Sequence, residues 1–196
     1  MHMIDRFFGK KNSTTTDERL RAIEGSDTAD LAAKLLRAPS ALMRLSHDEA
    51  RVVVSYMQPE LIQEGTAFIK EGDTRNTGFM VLTLDGEVIV ETIVVSRVHP
   101  ITVTVLGAGS LLGEMGLLDG EPRSASCIAG TDVRCAILSR ESLQELMNDN
   151  PPVAAKFMMA VSLRIAERLR ETADKLKMYA QLTQAMQEEI DHLLPT

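Results

Sequence analysis

Cysteine is almost absent from this 196-residue chain, and the two that occur, Cys127 and Cys135, stand in what read as consecutive strands. Two such cysteines cannot make a disulfide framework or a metal knuckle, so both are expected to be small core residues. Histidine is nearly as scarce. His2, His47, His99 and His192 fall in unlike segments, so neither a metal centre nor a catalytic dyad can be assembled from them. No window approaches the roughly 20 apolar residues that a membrane span needs, and "MHMIDRFFGKK" lacks the h-region and cleavage site of a secretory leader. A cytoplasmic protein is expected. Positive charge is in deficit too, with 21 lysines and arginines against 28 acidic residues and a net charge of −7. That balance disfavours a surface built to neutralise duplex phosphates, though not a local basic pocket.

What is present is an ordinary globular composition, 44% hydrophobic and 25% charged, in three zones. Residues 1–38 read as an N-terminal extension, partly helical. In "TADLAAKLLRA", Leu31, Leu35 and Leu36 fall on one helical face before Pro39 ends the run. "MIDRFFGKK" mixes Ile4, Phe7 and Phe8 with Arg6, Lys10 and Lys11 and reads as a loosely packed terminus rather than a firm bilayer anchor.

Residues 39–150 open on a helix with Ser46 and Glu49 at capping-box spacing. They then change to short β-branched runs, "TGFMVLTL", "EVIVETIVV", "ITVTVL", "ASCIA" and "VRCAILS", punctuated by glycine-bearing turns. Many short strands without intervening helices predict an antiparallel β-roll or jelly roll within an α+β fold. "SRESLQELM" follows as a helix capped by Ser139. A metal-dependent jelly-roll enzyme would need clustered histidines that His99 alone cannot supply, and no catalytic residues are assigned.

Residues 151–196 predict one long helix starting at Asn150-Pro151. Met158, Ser162, Ile165, Leu169, Thr172, Leu176, Tyr179, Thr183, Met186, Ile190 and Leu193 keep an unbroken 4,3,4,3 spacing. A helix lying on its own domain would show a wider apolar face at period 3.6, so a parallel homodimeric coiled coil is the favoured arrangement. Antiparallel or higher-order pairing stays open, because Ala166, Ala173 and Ala180 at e oppose Arg168 and Lys175 at g and supply no ion pairs that fix the orientation.

The stretch "LLGEMGLLDGEPRSAS" carries the chemistry. An arginine among apolar residues calls for an anion, and its planar fork suits phosphate oxygens. Arg123 precedes Ser124 and Ala125, whose amides could reach the same anion, and "GEMGLL" can form one helical turn with free amides. One cation and a few amides match a singly charged phosphodiester. Glu114 accepts hydrogen bonds and so selects a donor such as a sugar hydroxyl. Phosphodiester and hydroxyl on one small ring describe a 3′,5′-cyclic nucleotide. The competing reading is a plain Glu114–Arg123 ion pair across a turn.

Leu112 to Leu118 with Pro122 to Ser126 resembles the phosphate-binding cassette of the cyclic nucleotide-binding domain family. "FIKEGD", "GFMVLTLDGEVIV" and "LGAGSLLGEM" resemble that family's roll strands and the approach to its cassette. The resemblance runs from about Ala38 to Lys177. It implies that Arg123 holds the cyclic phosphate, that Glu114 takes the ribose 2′-hydroxyl, and that Gly113 admits the backbone to the sugar. Ser124 and Ala125 complete the cradle, and Met115 is a further ligand-side candidate. Thr172 falls where catabolite activators carry a base-contacting threonine, whereas Ala173 replaces their cross-subunit serine. Leu112 replaces a common aromatic. Ser124 in place of threonine leans toward cAMP over cGMP. The expected ligand is therefore cAMP or cGMP, with a cyclic dinucleotide left open, since its second phosphate would need a site outside the cassette; no cofactor and no metal are expected. A helix-turn-helix continuation past the dimer helix does not follow in this sequence, so direct nucleic-acid reading is not expected, and the signal is expected to pass to an effector protein.

Overall fold

In the computed structural model, described for residues 15–39, 42, 44–92 and 101–193, with 101–103 and 191–193 as backbone only, the strands form two four-stranded antiparallel sheets. The strands are β1 Gln58–Ile62, β2 Ala67–Ile69, β3 Phe79–Asp85, β4 Val88–Thr92, β5 Ile101–Leu106, β6 Leu111–Leu112, β7 Ser126–Ala129 and β8 Val133–Ser139. One sheet runs β1-β8-β3-β6 and the other β2-β7-β4-β5. The antiparallel roll with N-terminal helices and a long C-terminal helix is the predicted fold class. The N-terminal "MIDRFFGKK" segment, His2, His99 and the stretch after Thr92 lie outside the described residues.

In the first sheet β3 is buried on both faces, which explains why it reads as an unbroken apolar run rather than an alternating one. Phe79 and Val81 turn into the roll with Ile69, Val88, Leu112, Cys127 and Cys135. Met80, Leu82 and Leu84 turn outward into a second core built with helices. The pairing of Phe79 with Ser139 and Val81 with Ile137 fixes that division, because a one-residue slip would exchange the faces. Both cysteines are free and buried, as expected, though they lie on strands of different sheets.

The outer core is helical. α1 spans Thr16–Ala22, α2 Asp27–Leu36, α3 His47–Val54, α4 Glu114–Asp119, α5 Arg140–Asp149 and α6 Pro151–Leu193. The capping box of Ser46 and Glu49 and the Ser139 cap of α5 both form, and Asn150 Oδ1 accepts from the Val153 amide at the start of α6. In α2 the buried face is Ala29, Ala32, Ala33 and Leu36, with Leu31 and Leu35 only half-buried. The small residues win the interior because α2 lies close against α3 and β3. Val153, Ala154, Phe157, Ala160 and Val161 seat the first turns of α6 in the same core, and residues 167–190 are exposed.

Candidate ligand-binding site

β6 leads through Gly113 into α4, six residues long, and the chain returns through Pro122 and Arg123 into β7. Gly113 has φ +76, a left-handed conformation that side chains strain to adopt. A Cβ there would stand 2.7 Å from Arg123 Nη1 and 3.0 Å from the Phe79 carbonyl oxygen, and one at Gly116 would stand 2.8 Å from the same Nη1. In this structure the two glycines therefore make room for a guanidinium.

Arg123 is buried, with 5% of its surface exposed. Its Nε and Nη2 donate to the Asn76 carbonyl at 3.1 and 2.9 Å, Nη2 also to that of Phe79 at 3.0 Å, and Nη1 to that of Gly113 at 2.9 Å. The guanidinium also lies 4.4 Å from the Phe79 ring centroid. Carbonyls thus meet the arginine where the sequence argument called for an anion. Carbonyl dipoles converging from three residues on two segments do part of an anion's work. Burial draws the guanidinium below its ordinary pKa, yet arginine stays charged. Burial pushes the neighbouring Cys127 thiol up to about 12, so that thiol is protonated and adds no negative charge.

The 73–79 segment is held in shape to present those carbonyls. Asp73 Oδ1 accepts from the Arg75 amide at 2.9 Å, and Asn76 Nδ2 donates to Asp73 Oδ2 at 3.2 Å. These bonds, the Arg75 amide foremost, hold the Asp73 carboxyl below its ordinary range. The Arg123 amide donates to the Asp73 carbonyl, and the Gly72 amide donates to that of Arg123. Opposite, Arg140 donates to the Gly116 and Leu117 carbonyls at 2.7 and 3.2 Å. α4 is therefore pinned by one arginine at each end.

Glu114 is 2% exposed, and a buried carboxylate needs a partner. That partner is Arg168 of α6, whose Nη1 donates to Glu114 Oε1. The alternative Glu114–Arg123 pair does not form. Gly113, Glu114 and Arg123 come together around α4, and half-buried Ala125 and exposed Ser124 follow directly on the chain. Met115 is exposed on α4. Thr172 remains on the exposed part of α6, one turn past Arg168, with its hydroxyl donating to the Arg168 carbonyl at 2.8 Å. Arg168, Arg140 and the Asn76 carbonyl were not anticipated from sequence as parts of the site; Arg168 stands one helical turn before the Thr172 that was.

The site thus sets the buried side chains of Glu114 and Arg123 across one short helix of a two-sheet antiparallel roll. Residues 59–150 match the family model of the cyclic nucleotide-binding domain, and the chain carries a domain of that family. It is similar to the cyclic AMP receptor protein of Thermus thermophilus, 33% identical over 65% of this chain and 56% of that protein. A cyclic nucleotide-gated potassium channel of Rhizobium etli is 29% identical over 62% of this chain and 32% of the channel. The chain thus spans between a third and just over half of these relatives. Among solved structures, a cyclic nucleotide-binding domain from Methylobacillus flagellatus superposes with TM-score 0.66 at 28% identity, covering 77% of this chain and 83% of that one. The Thermus thermophilus catabolite activator protein superposes with TM-score 0.61 at 30% identity, covering 70% and 61%.

Proposed function

We propose that this protein is a non-enzymatic cytoplasmic sensor of a 3′,5′-cyclic nucleotide, cAMP in preference to cGMP, and that it signals to an effector protein as a homodimer through α6. Residues 39–150 are the sensing unit, 1–38 an N-terminal extension, and 151–196 the output helix. The observation that carries this reading is the Glu114–Arg168 contact: the carboxylate suited to a ribose hydroxyl is held by a residue of the output helix.

In this mechanism the 2′-hydroxyl donates to Glu114 and competes with Arg168 for it. The cyclic phosphate is met by Arg123 with the amides of Ser124 and Ala125, while Gly113 and Met115 border the sugar. Thr172 is the base-side contact, reached when the turn of α6 around it closes on the roll. Occupancy then changes what fastens α6 to α4, and a ligand shifts helix arrangement only through such differential contacts.

A second reading, an adaptor whose roll has lost its ligand, is favoured by one observation: four hydrogen bonds to carbonyls already occupy Arg123. Calorimetric titration with cAMP and cGMP separates the two. Wild type is expected to bind at micromolar affinity or tighter. Glu114→Gln and Arg123→Lys, both checked for folding, are expected to lose about 2 to 5 kcal/mol each. A folded wild type that binds neither nucleotide would decide for the adaptor.

A further inference from the structure

A cavity of about 290 Å³ opens between the 75–79 segment, strands β1 and β8, and the first turn of α5. None of the residues that the sequence assigns to the nucleotide lines it; its walls are Gln58, the 75–79 segment, Ile137 and residues 139–142. Two of those walls nevertheless hold the nucleotide site in shape. Phe79 meets the Arg123 guanidinium with its carbonyl at 3.0 Å and its ring centroid at 4.4 Å, and the Asn76 carbonyl takes two more of that arginine's bonds. Arg140, another lining residue, donates to the Gly116 and Leu117 carbonyls of α4.

The lining has a definite chemistry. Arg75 is exposed and, among the described residues, bonds through its backbone amide only. Arg140 commits Nε and Nη2 to α4, while its Nη1 has no acceptor among the described residues. Against these two cations the lining holds one carboxylate, Glu141, and nearby Asp73 is already engaged by the Arg75 amide and by Asn76 Nδ2. One net positive charge beside Ile137, Phe79 and the bare backbone of Gly78 fits a singly charged anion with an apolar body. A carboxylate matches a guanidinium fork, and the volume falls near the lower end of the roughly 300–1,000 Å³ of ligand pockets, which favours a small organic acid.

We propose that this cavity is a second ligand site, taking a small monocarboxylic acid with an apolar body, and that its occupant opposes nucleotide binding. The opposition rests on the reading above that Arg123 meets a cyclic phosphate. To do so, Arg123 must loosen its bonds to the Asn76 and Phe79 carbonyls, and the 75–79 segment must give. An acid touching both Arg75 and Arg140 fastens that segment to α5 and holds it in its present shape. The Gly78 carbonyl already accepts from the Arg140 amide at 2.7 Å, so the acid reinforces an existing link. Such coupling is reciprocal: the nucleotide weakens the acid by the factor by which the acid weakens the nucleotide.

Methyl NMR on the full chain tests the site, with benzoate as the probe. Ile137 lines the cavity, whereas Ile69 Cδ1 would stand 3.1 Å from a Cβ at Gly113 and so reports on the nucleotide site. Benzoate is expected to shift the Ile137 methyl saturably at millimolar concentration or below, with neutral benzyl alcohol roughly tenfold weaker. Arg75→Ala keeps the amide bond to Asp73 and is expected to weaken benzoate several-fold. No saturable shift, equal binding of benzyl alcohol, or binding untouched by Arg75→Ala would each overturn the site, as would a larger shift at Ile69 than at Ile137. Calorimetry with cAMP in saturating benzoate reads the coupling. Nucleotide affinity is expected to fall roughly fivefold or more, and Arg75→Ala to remove most of that fall; unchanged or tighter binding would overturn the opposition and leave the acid site standing. If benzoate binds at Ile137 but no cyclic nucleotide binds, the acid site stands, and the nucleotide reading falls together with the opposition that rests on it.

Discussion

At the scale of single residues, the site is organised around a guanidinium and the absence of two side chains. Gly113 combines a left-handed backbone with a contact, since a Cβ there would meet Arg123 Nη1 at 2.7 Å, whereas Gly65 has the same kind of backbone, φ +77, with nothing within 4 Å. Comparing alanine at the two positions therefore separates backbone strain from displacement of Arg123. Both variants should lose on the order of 1 kcal/mol or more from strain. Gly113→Ala should lose additional stability in urea unfolding and also weaken cyclic nucleotide binding, which Gly65→Ala should leave intact. Equal losses with equal binding would show that the guanidinium moves aside at no cost. Glu114 and Arg123 were legible because their side chains carry the chemistry. The partners of Arg123 were not, because a backbone carbonyl looks the same after Asn76 or Phe79 as after any other residue. Arg168 lies 54 positions from Glu114, and only the docking of α6 makes them neighbours.

Among elements, α1 is a capped helix with no buried residue. It is held by a polar clasp. Arg19 lies 4.5 Å from the Tyr56 ring centroid and donates to Glu145 at 2.5 Å, while Thr16 and Tyr56 share a hydroxyl bond at 2.7 Å. The Tyr56 hydroxyl also donates to Asp149 at 3.0 Å, and burial raises its pKa, so it remains a donor at neutral pH. Such cross-element bonds leave no periodic trace, whereas the strands and α6 were legible because apolar spacing repeats along them. Tyr56→Phe removes the hydroxyl and keeps the buried ring. It should cost about 0.5 to 3 kcal/mol and speed amide exchange in α1 well before the roll opens. Unchanged α1 protection would mean that Arg19 and the partly buried Leu20 and Ile23 suffice.

Over the whole molecule, one sheet separates two cores, and α6 belongs to the outer core only through its first turns. Burial along the helix is complete at Val161 and partial at Ile165, so the exposed part of α6 is joined to the roll mainly through Arg168 and Glu114. A chain ending after Ala166 should therefore keep both cores and fold. It should sediment as a monomer, and its thermal midpoint should not change with protein concentration. The full chain's midpoint should rise with concentration, because association stabilises only the folded form. If the truncated chain instead fails to fold, the distal half of α6 is part of the outer core, and the proposed separation between sensing roll and output helix does not hold.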